Sequence, residues 1–508
     1  MGWEETGSEP SRRSNVAGTE SEVHVFALGK TSDEVCPASK LVLKAIIKRA
    51  GMESCRRCDS LGCPKSEFLS NGARCYIDHG YLEYSTPPTA STITAVAAVR
   101  AGDVIVERAV SEAAAKLSGG MRLRAVRNTC DHRGHSYAAH VNVSMRRPSF
   151  DRLMNEEGTL LHETVGPLIV SLSLVCGAGR AGSNKGEDLF QIWERSEYLE
   201  RDKGALTTSD RAILNTRDEP LADADQHARL HVIAFDANRL ETPQYLKQGV
   251  MRLLCASLDL DVPTAVVPLA DLVEAAHLVS RRPFSPLRLT NGKTITALEI
   301  QRVFWHALKR RSTRLAERVP DAGEILHTWD GVLKLLEHDP LELVGILDWP
   351  TKYALLEAAR ARDNMKWNDP RLAWVDINYH SLTGGGRTAD GVVDRGRVTT
   401  DEGIRALVAA PPPHSRASVR VALVGRFGEQ VANCDWHWLE GKDGRRFMLG
   451  DPSGGEADAT ARIDRASSLD GACRGLDLRE KPAVSLYCIS VADEMSGDDD
   501  EGEATRNP

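Results

Sequence analysis

Three segments of the chain share an alternation that narrows what it can fold into. In Gly18-Thr19-Glu20-Ser21-Glu22-Val23-His24-Val25, a period of two places Glu20, Glu22 and His24 on one side. In Asn71-Gly72-Ala73-Arg74-Cys75-Tyr76-Ile77-Asp78, Ala73, Cys75 and Ile77 take one side, and Arg74, Tyr76 and Asp78 take the other. The segment 137–145 repeats the pattern, with Ala139, Val141 and Val143 opposite His140, Asn142 and Ser144. Strands of this kind rest one face on a core and leave the other open, as antiparallel sheets do. An ordinary wet face carries Lys, Thr, Ser and Glu in no special arrangement. Carboxylates, imidazoles and Arg on one face are instead the types that a nucleotide–metal site uses. Paired carboxylates are hard oxygen ligands for Mg²⁺, an Arg fork holds phosphate oxygens, and an Asp takes a proton. The plain reading of a solvated face is hardest to sustain for Asp78, beside Arg74 and Tyr76.

A length of 508 residues suggests two to four domains, or one large core with attachments. Helical patterns at 40–50, 92–101, 110–115, 152–175, 243–257, 297–314 and 343–362 are separated by short strands, a mixture that indicates an α+β fold. A Gly- and Pro-rich stretch from Gly384 to Pro413 reads as the junction between a core (15–410) and a small C-terminal unit (411–492). Strand-like runs at 418–424, 436–440 and 484–490 fall in that unit. Residues 1–14 and 493–508 are expected to be disordered. The last sixteen residues hold seven acids and one base, so most of the net charge of −8 is a tail and the rest is nearly neutral. That balance argues against a nucleic-acid protein driven by phosphate contacts. No apolar run is long enough to span a membrane, and the opening residues lack the apolar core of a secretory signal, so a cytoplasmic protein is expected. Eleven cysteines in a reducing compartment should be mostly free thiols. Cys55-Arg-Arg-Cys58, with Cys63 beyond, has half the spacing of a zinc site but no matching second half. Gly177-Ala178-Gly179-Arg180-Ala181-Gly182 is a literal GxGxxG, yet it follows an apolar run of helical length and opens no helix. It reads as a helix-terminating loop.

Longer motifs point to a family. Residues 71–78 with Glu83-Tyr84-Ser85-Thr86-Pro87, then Asn215-Thr216-Arg217-Asp218-Glu219-Pro220 and Arg229-Leu230-His231-Val232-Ile233, resemble the Pup ligase/depupylase family. Its enzymes attach or remove the prokaryotic ubiquitin-like protein Pup and have a glutamine-synthetase-like fold. The resemblance runs in order from Gly18 to about Glu440 and includes Leu347-Asp348-Trp349 and Asp369-Pro370-Arg371-Leu372. It implies a curved, mainly antiparallel sheet flanked by helices, with a small C-terminal α/β domain contributing to the ATP site. It also implies ATP and Mg²⁺ as cofactors, and Pup or a Pup-like modifier with its lysine conjugates, in the bacterial proteasome pathway, as partners. Residue by residue, Glu20, Tyr76 and Glu83 match the magnesium positions, and Arg74, Thr86 and Trp436 match the ATP contacts. Asp78 matches the catalytic aspartate. Arg195, Arg217, His231 and His140 match positions around the γ-phosphate and the substrate carboxyl, with Glu22 and Asn142 as further candidates. Three of these residues also admit a purely structural role: Trp436 as a core anchor, His231 as a satisfied strand histidine, Glu22 as a solvent-facing carboxylate.

The resemblance leaves the direction of the reaction open. Asp78-His79 with Glu83 five positions after the Asp, Asp236-Ala237-Asn238, residues 297–301 and residues 367–372 resemble the depupylase branch, which hydrolyses the Pup–lysine isopeptide bond or deamidates a C-terminal glutamine of Pup. The short span from Glu22 to Asp78 and the segment 398–402 resemble the ligase branch, which joins a C-terminal glutamate of Pup to lysine through an acyl phosphate. Three departures mark the chain as divergent. His140-Val141-Asn142 stands where the family reads His-Glu-Asn, and Glu22-Val23-His24 stands where it has an aromatic residue and a glycine. Tyr379-His380-Ser381 lacks the usual Asp after the His. A depupylase/deamidase is the leading expectation, a ligase the second, and a catalytically impaired Pup- and ATP-binding paralogue the third.

Overall fold

One ten-stranded sheet organises the molecule. The computed structural model describes residues 14–28, 35–52, 57–58, 64–117, 122–137, 139–155, 157–383, 392–452, 454 and 458–482. In chain order its first strands are β1 (Ala17–Ala27), β2 (Arg57–Cys58), β3 (Pro64–Phe68), β4 (Arg74–Asp78), β5 (Tyr81–Ser85), β6 (Leu123–Val126) and β7 (Ala139–Arg146). Then come a two-stranded ribbon, β8 (Arg180–Ala181) and β9 (Phe190–Gln191), followed by β10 (Arg201–Gly204), β11 (Ala212–Asn215) and β12 (His227–Val232). The large sheet runs β10-β11-β12-β7-β1-β5-β4-β3-β2, with β6 on the far half of β1. Within this sheet, among the described residues, only β10 with β11 is parallel. The expected mainly antiparallel sheet is therefore present.

Alternation decides which face is covered. Val23, Val25, Cys75, Leu82 and Tyr84 pack with Val42, Leu43 and Ile46 of the helix Val35–Ala50 and with Val106 and Val110 of the helix Thr92–Ala114. Val141, Val143, Met145 and Leu230 pack with Ile169, Val250 and Leu254 from the helices Gly166–Cys176 and Glu241–Asp259. The approach is close: a Cβ on Gly102 would stand 2.5 Å from the Tyr84 ring, so only glycine fits there.

Several expected helices are shorter in the structure. The pattern over 152–175 divides into Arg147–Met154 and Gly166–Cys176, joined through a π-turn at Leu161–Val165, because Asn155 leaves the helical region at ψ 124°. The helix begun at Ala297 ends at Lys309, and the one expected from 343 starts at Asp348 with Pro350 in its first turn. Gly177 caps Gly166–Cys176, so GxGxxG is the helix-ending loop that its context indicated.

The C-terminal unit has a four-stranded antiparallel sheet, Val431–Cys434, Trp438–Gly441, Arg445–Met448 and Glu480–Pro482. The strand expected at 418–424 is instead the helix Arg416–Phe427. Its β-branched valines suggest a strand, but Ser415 caps the backbone N–H of Ser418, and Val419, Leu423, Val424 and Phe427 return to one buried face at helical spacing. Met52 and Phe68 of the large sheet's side join that core. The stretch read as a junction also holds a helix, Asp401–Ala409, whose Ile404 and Leu407 pack on Ala97, Ala98 and Ala101. The run at 484–490, the Cys55 and Cys63 positions and the two segments expected to be disordered lie outside the described residues, apart from Ser14.

A buried ion cluster ties the helical layer together. Lys352 Nζ lies 2.7 Å from Glu194 Oε1 and 2.8 Å from Asp376 Oδ1, and donates to Gly179 O at 2.6 Å. Burial works against both carboxylates, but the ammonium together with His380 outweighs it at Glu194 and holds that carboxyl down to about 2. Lys352→Met should cost about 3–5 kcal/mol, because two buried carboxylates lose their counter-charge. Chemical denaturation of the variant checks this, and an unchanged midpoint would contradict it.

Candidate active site

The register of the central strands lines up the polar face in rows. Gly18 pairs with Asn142, and His231 pairs with Asn142 from the other side. Next come Arg74, Ser85, Glu20 and His140, cross-strand neighbours in that order. The third row is Tyr76, Glu83 and Glu22, and the fourth has Asp78 opposite Tyr81. Residues far apart in sequence thus meet, as strand alternation requires.

Two groups of potential metal ligands result. Glu20, His140 and His231 bring one donor atom each within 4.8 Å of one another, and so do Glu22, Asp78 and Glu83. His140 Nδ1 is 2.9 Å from Glu20 Oε2, and His231 Nε2 is 3.6 Å from the same oxygen. Burial pushes the His140 imidazole down to about 4, so it is neutral near pH 7 and its Nδ1–H donates to Glu20. Its Nε2 and both His231 nitrogens are buried without hydrogen-bond partners. Burial would raise the Glu20 carboxyl, but the two imidazoles outweigh it and hold it well below the carboxylate range. Glu83 goes the opposite way, pushed well above that range by burial and by the charges of Glu20 and Glu22. The Tyr76 hydroxyl donates a short hydrogen bond to Glu83, and burial keeps that phenol protonated. Three clustered carboxylates suit a hard divalent cation such as Mg²⁺, which would relieve their mutual repulsion.

Beside these groups lies a cavity of about 260 Å³. Glu20, Arg74, Tyr76, Ser85, Thr86, Asn142, Arg229, Arg416, Asp435 and Trp436 line it, so it spans the sheet and the C-terminal unit. Thr86 Oγ1 accepts from the Thr19 backbone N–H at 2.9 Å, which fixes the strand end. Trp436 stands edge-on to Phe68 with ring centroids 4.9 Å apart. Arg420 stacks 4.3 Å above Phe68 and donates to Trp436 O at 3.2 Å, anchoring the tryptophan to the large sheet.

The other expected residues fall as follows. Arg195 is buried and donates to Ser136 Oγ and Tyr137 O, both at 2.8 Å. Its backbone is held by Asp236, which accepts from the N–H groups of Ala178, Glu194 and Arg195. Burial and the neighbouring Arg211 push its guanidinium down to about 10, with Glu22 opposing. Asp78 keeps 47 % of its side chain exposed, with His79 Nε2 3.9 Å away. Arg217 is exposed on the loop after β11 and does not line the cavity. Arg229 does: its guanidinium is 3.5 Å from Glu20 Oε1 and donates to Asn142 Oδ1 at 3.2 Å. Arg229 is not among the site residues expected from sequence, although His227, Arg229 and His231 alternate onto one face of β12. Val141 is fully buried on the core face, so the missing acid of His140-Val141-Asn142 subtracts no ligand from the cavity side.

Comparisons with known proteins agree with one another. The profile of the family described as Pup-ligase protein matches residues 17–440. The chain is similar to the Pup deamidase/depupylase of Mycolicibacterium smegmatis, 38% identical over 414 residues that cover 80% of this chain and 78% of that one. It is also similar to the Pup–protein ligase of Acidimicrobium ferrooxidans, 33% identical over 431 residues that cover 81% and 91%. Among solved structures, the ligase PafA in complex with Pup superposes with a TM-score of 0.75 at 26% identity, covering 96% of this chain and 95% of that one. PafA in complex with ADP gives 0.67 at 27% identity, covering 86% and 95%.

Because a raised Glu83 must lose its proton to bind a cation, Mg²⁺ affinity should rise with pH. Titration calorimetry at about pH 6 and about pH 8 should show tighter binding at the higher pH, with proton release. Equal affinity with no proton release would contradict the assignment.

Proposed function

Because the chain belongs to the Pup-ligase family, we propose that it is an ATP- and Mg²⁺-dependent depupylase/deamidase, hydrolysing the bond between a Pup-like modifier and substrate lysines. The observation that carries this reading is Asp78. It clusters with Glu22 and Glu83, yet its carboxylate stays open to an incoming group. The depupylase direction is favoured by the five-residue step from Asp78 to Glu83 and by the 38% identity to a depupylase against 33% to a ligase.

In this reading the nucleotide lies in the cavity between Trp436, Arg74 and Thr86, and Glu20 and Glu83 hold Mg²⁺ with Tyr76 supporting Glu83. Bound there, they neutralise and orient the groups around the reacting carboxyl. Arg229, His231 and His140 face the phosphate end of the cavity, and Arg195 faces the carboxyl of the modifier's last residue. Asp78 either adds a carboxylate oxygen to the amide carbonyl carbon or takes a proton from a water that adds instead. In both routes the C–N bond breaks, the nitrogen leaves with a proton, and the hydroxyl of one water ends on the modifier's carboxyl. Ammonia leaves from a terminal glutamine, and lysine leaves from a conjugate.

A ligase is the second reading, supported by the likeness to PafA and by the segment 398–402. Purified protein with ATP, Mg²⁺ and a Pup conjugate should release free Pup, whereas net conjugation of free Pup to an acceptor would select the ligase. Asp78→Asn should lower turnover by at least ~100-fold while nucleotide affinity stays within about twofold, because the side chain lies outside the cavity lining. Full turnover by that variant would overturn the site.

A further inference from the structure

The polar face of β1 does not stop at the carboxylates. Continuing the alternation beyond Glu20 and Glu22 puts His24 and Phe26 on the same side, at about 3.3 Å per residue. His24 lies beside Tyr81, with ring centroids 5.5 Å apart, and Tyr81 is the cross-strand partner of Asp78. Tyr137 reaches over from the other side, 5.9 Å from His24 and 4.6 Å from Tyr81. Phe26 extends the ring series to Trp374, which is 48% exposed. An aromatic wall therefore rises next to Asp78, at the end of the face opposite to the nucleotide cavity, and runs out to solvent.

Neither the nucleotide nor the metal accounts for this wall. None of its rings lines the nucleotide cavity, and the Tyr137 hydroxyl is already spent on Asn128 at 3.2 Å. The acids near it are Asp78, Glu22 and Asp131. Asp131 acts on both His24 and Tyr81, with Arg133 opposing it at His24. Aromatic faces suit an alkyl stem, and carboxylates beyond them suit the ammonium that appears when an amide nitrogen leaves. Arg195 and Arg211 hold the backbone of the Tyr137 segment, donating to Tyr137 O at 2.8 Å and to Ser136 O at 3.1 Å.

We infer that His24 and Tyr81, packed against the buried Tyr137, form the subsite for the lysyl side chain of the conjugate, with the four-carbon stem against the two rings and the nitrogen at Asp78. This rests on the proposed reading of Asp78 and adds what lies on the amine side of it.

The test compares two substrates on the same Pup chain. One ends in glutamine, whose leaving group is ammonia. The other has its terminal glutamate joined through the side-chain carboxyl to the lysine of a short peptide. In His24→Gly and Tyr81→Ala, kcat/KM for the lysyl substrate should fall at least ~10-fold and that for the glutamine substrate should stay within about twofold, while Tyr81→Phe keeps both. Equal loss on both substrates, or no loss on either, would overturn the subsite. Wild-type protein that turns over neither substrate would defeat the proposed function separately. Fluorescence anisotropy with the same two chains then decides the subsite. A preference for the lysyl chain that both variants abolish supports it, and equal wild-type affinities overturn it.

Discussion

The register of β1 between β5 and β7 is the constraint on which the rest depends. With Glu20 opposite Ser85 and His140, and Glu22 opposite Glu83, every acid of the site falls on one side. A slip of one residue would turn Glu20 and Glu22 into the core and Val23 and Val25 toward water. The apolar half of each strand fixes the choice. Val23, Val25, Leu82, Tyr84, Val141 and Val143 are all buried under helices, and Gly102 lets one of those helices close on Tyr84. The residues with no chemistry thereby place those that have it.

Crowding carboxylates on a half-buried face has an electrostatic cost, and the protein divides it unevenly. The Glu20 carboxyl is held low because two imidazoles outweigh its burial, whereas burial and the charges of Glu20 and Glu22 push Glu83 up, where it shares a hydrogen bond with Tyr76. Neighbouring carboxyl groups pushed in opposite directions mark a face organised for cations and proton movement. The C-terminal unit closes that face from the other side through Trp436, whose carbonyl and ring are held by Arg420 over Phe68.

Strand alternation made much of this legible in the sequence. Glu20, Glu22, Arg74, Tyr76, Asn142 and His140 were expected on polar faces and lie there, because period-two geometry is local. Which strands pair is not local, so the sequence patterns did not foretell that Arg229 would reach Glu20 across 209 positions. Arg217 drew attention through its motif, yet it lies on an exposed loop, while Arg229 on the next strand lines the cavity. The helix Arg416–Phe427 reads as a strand for a related reason: its valines favour β-structure locally, and only the packing on Phe68 and the cap at Ser415 decide for helix.

The central claim is that one sheet face holds nucleotide and divalent metal with Asp78 at their edge. Crystals soaked with Mn²⁺ and a non-hydrolysable ATP analogue test it most directly, through the anomalous signal of manganese. The account predicts a peak within coordination distance of Glu20 or Glu83, with the triphosphate in the cavity beneath Trp436. Manganese and nucleotide bound elsewhere on the molecule, with the Glu22, Asp78 and Glu83 carboxylates left empty, would contradict it.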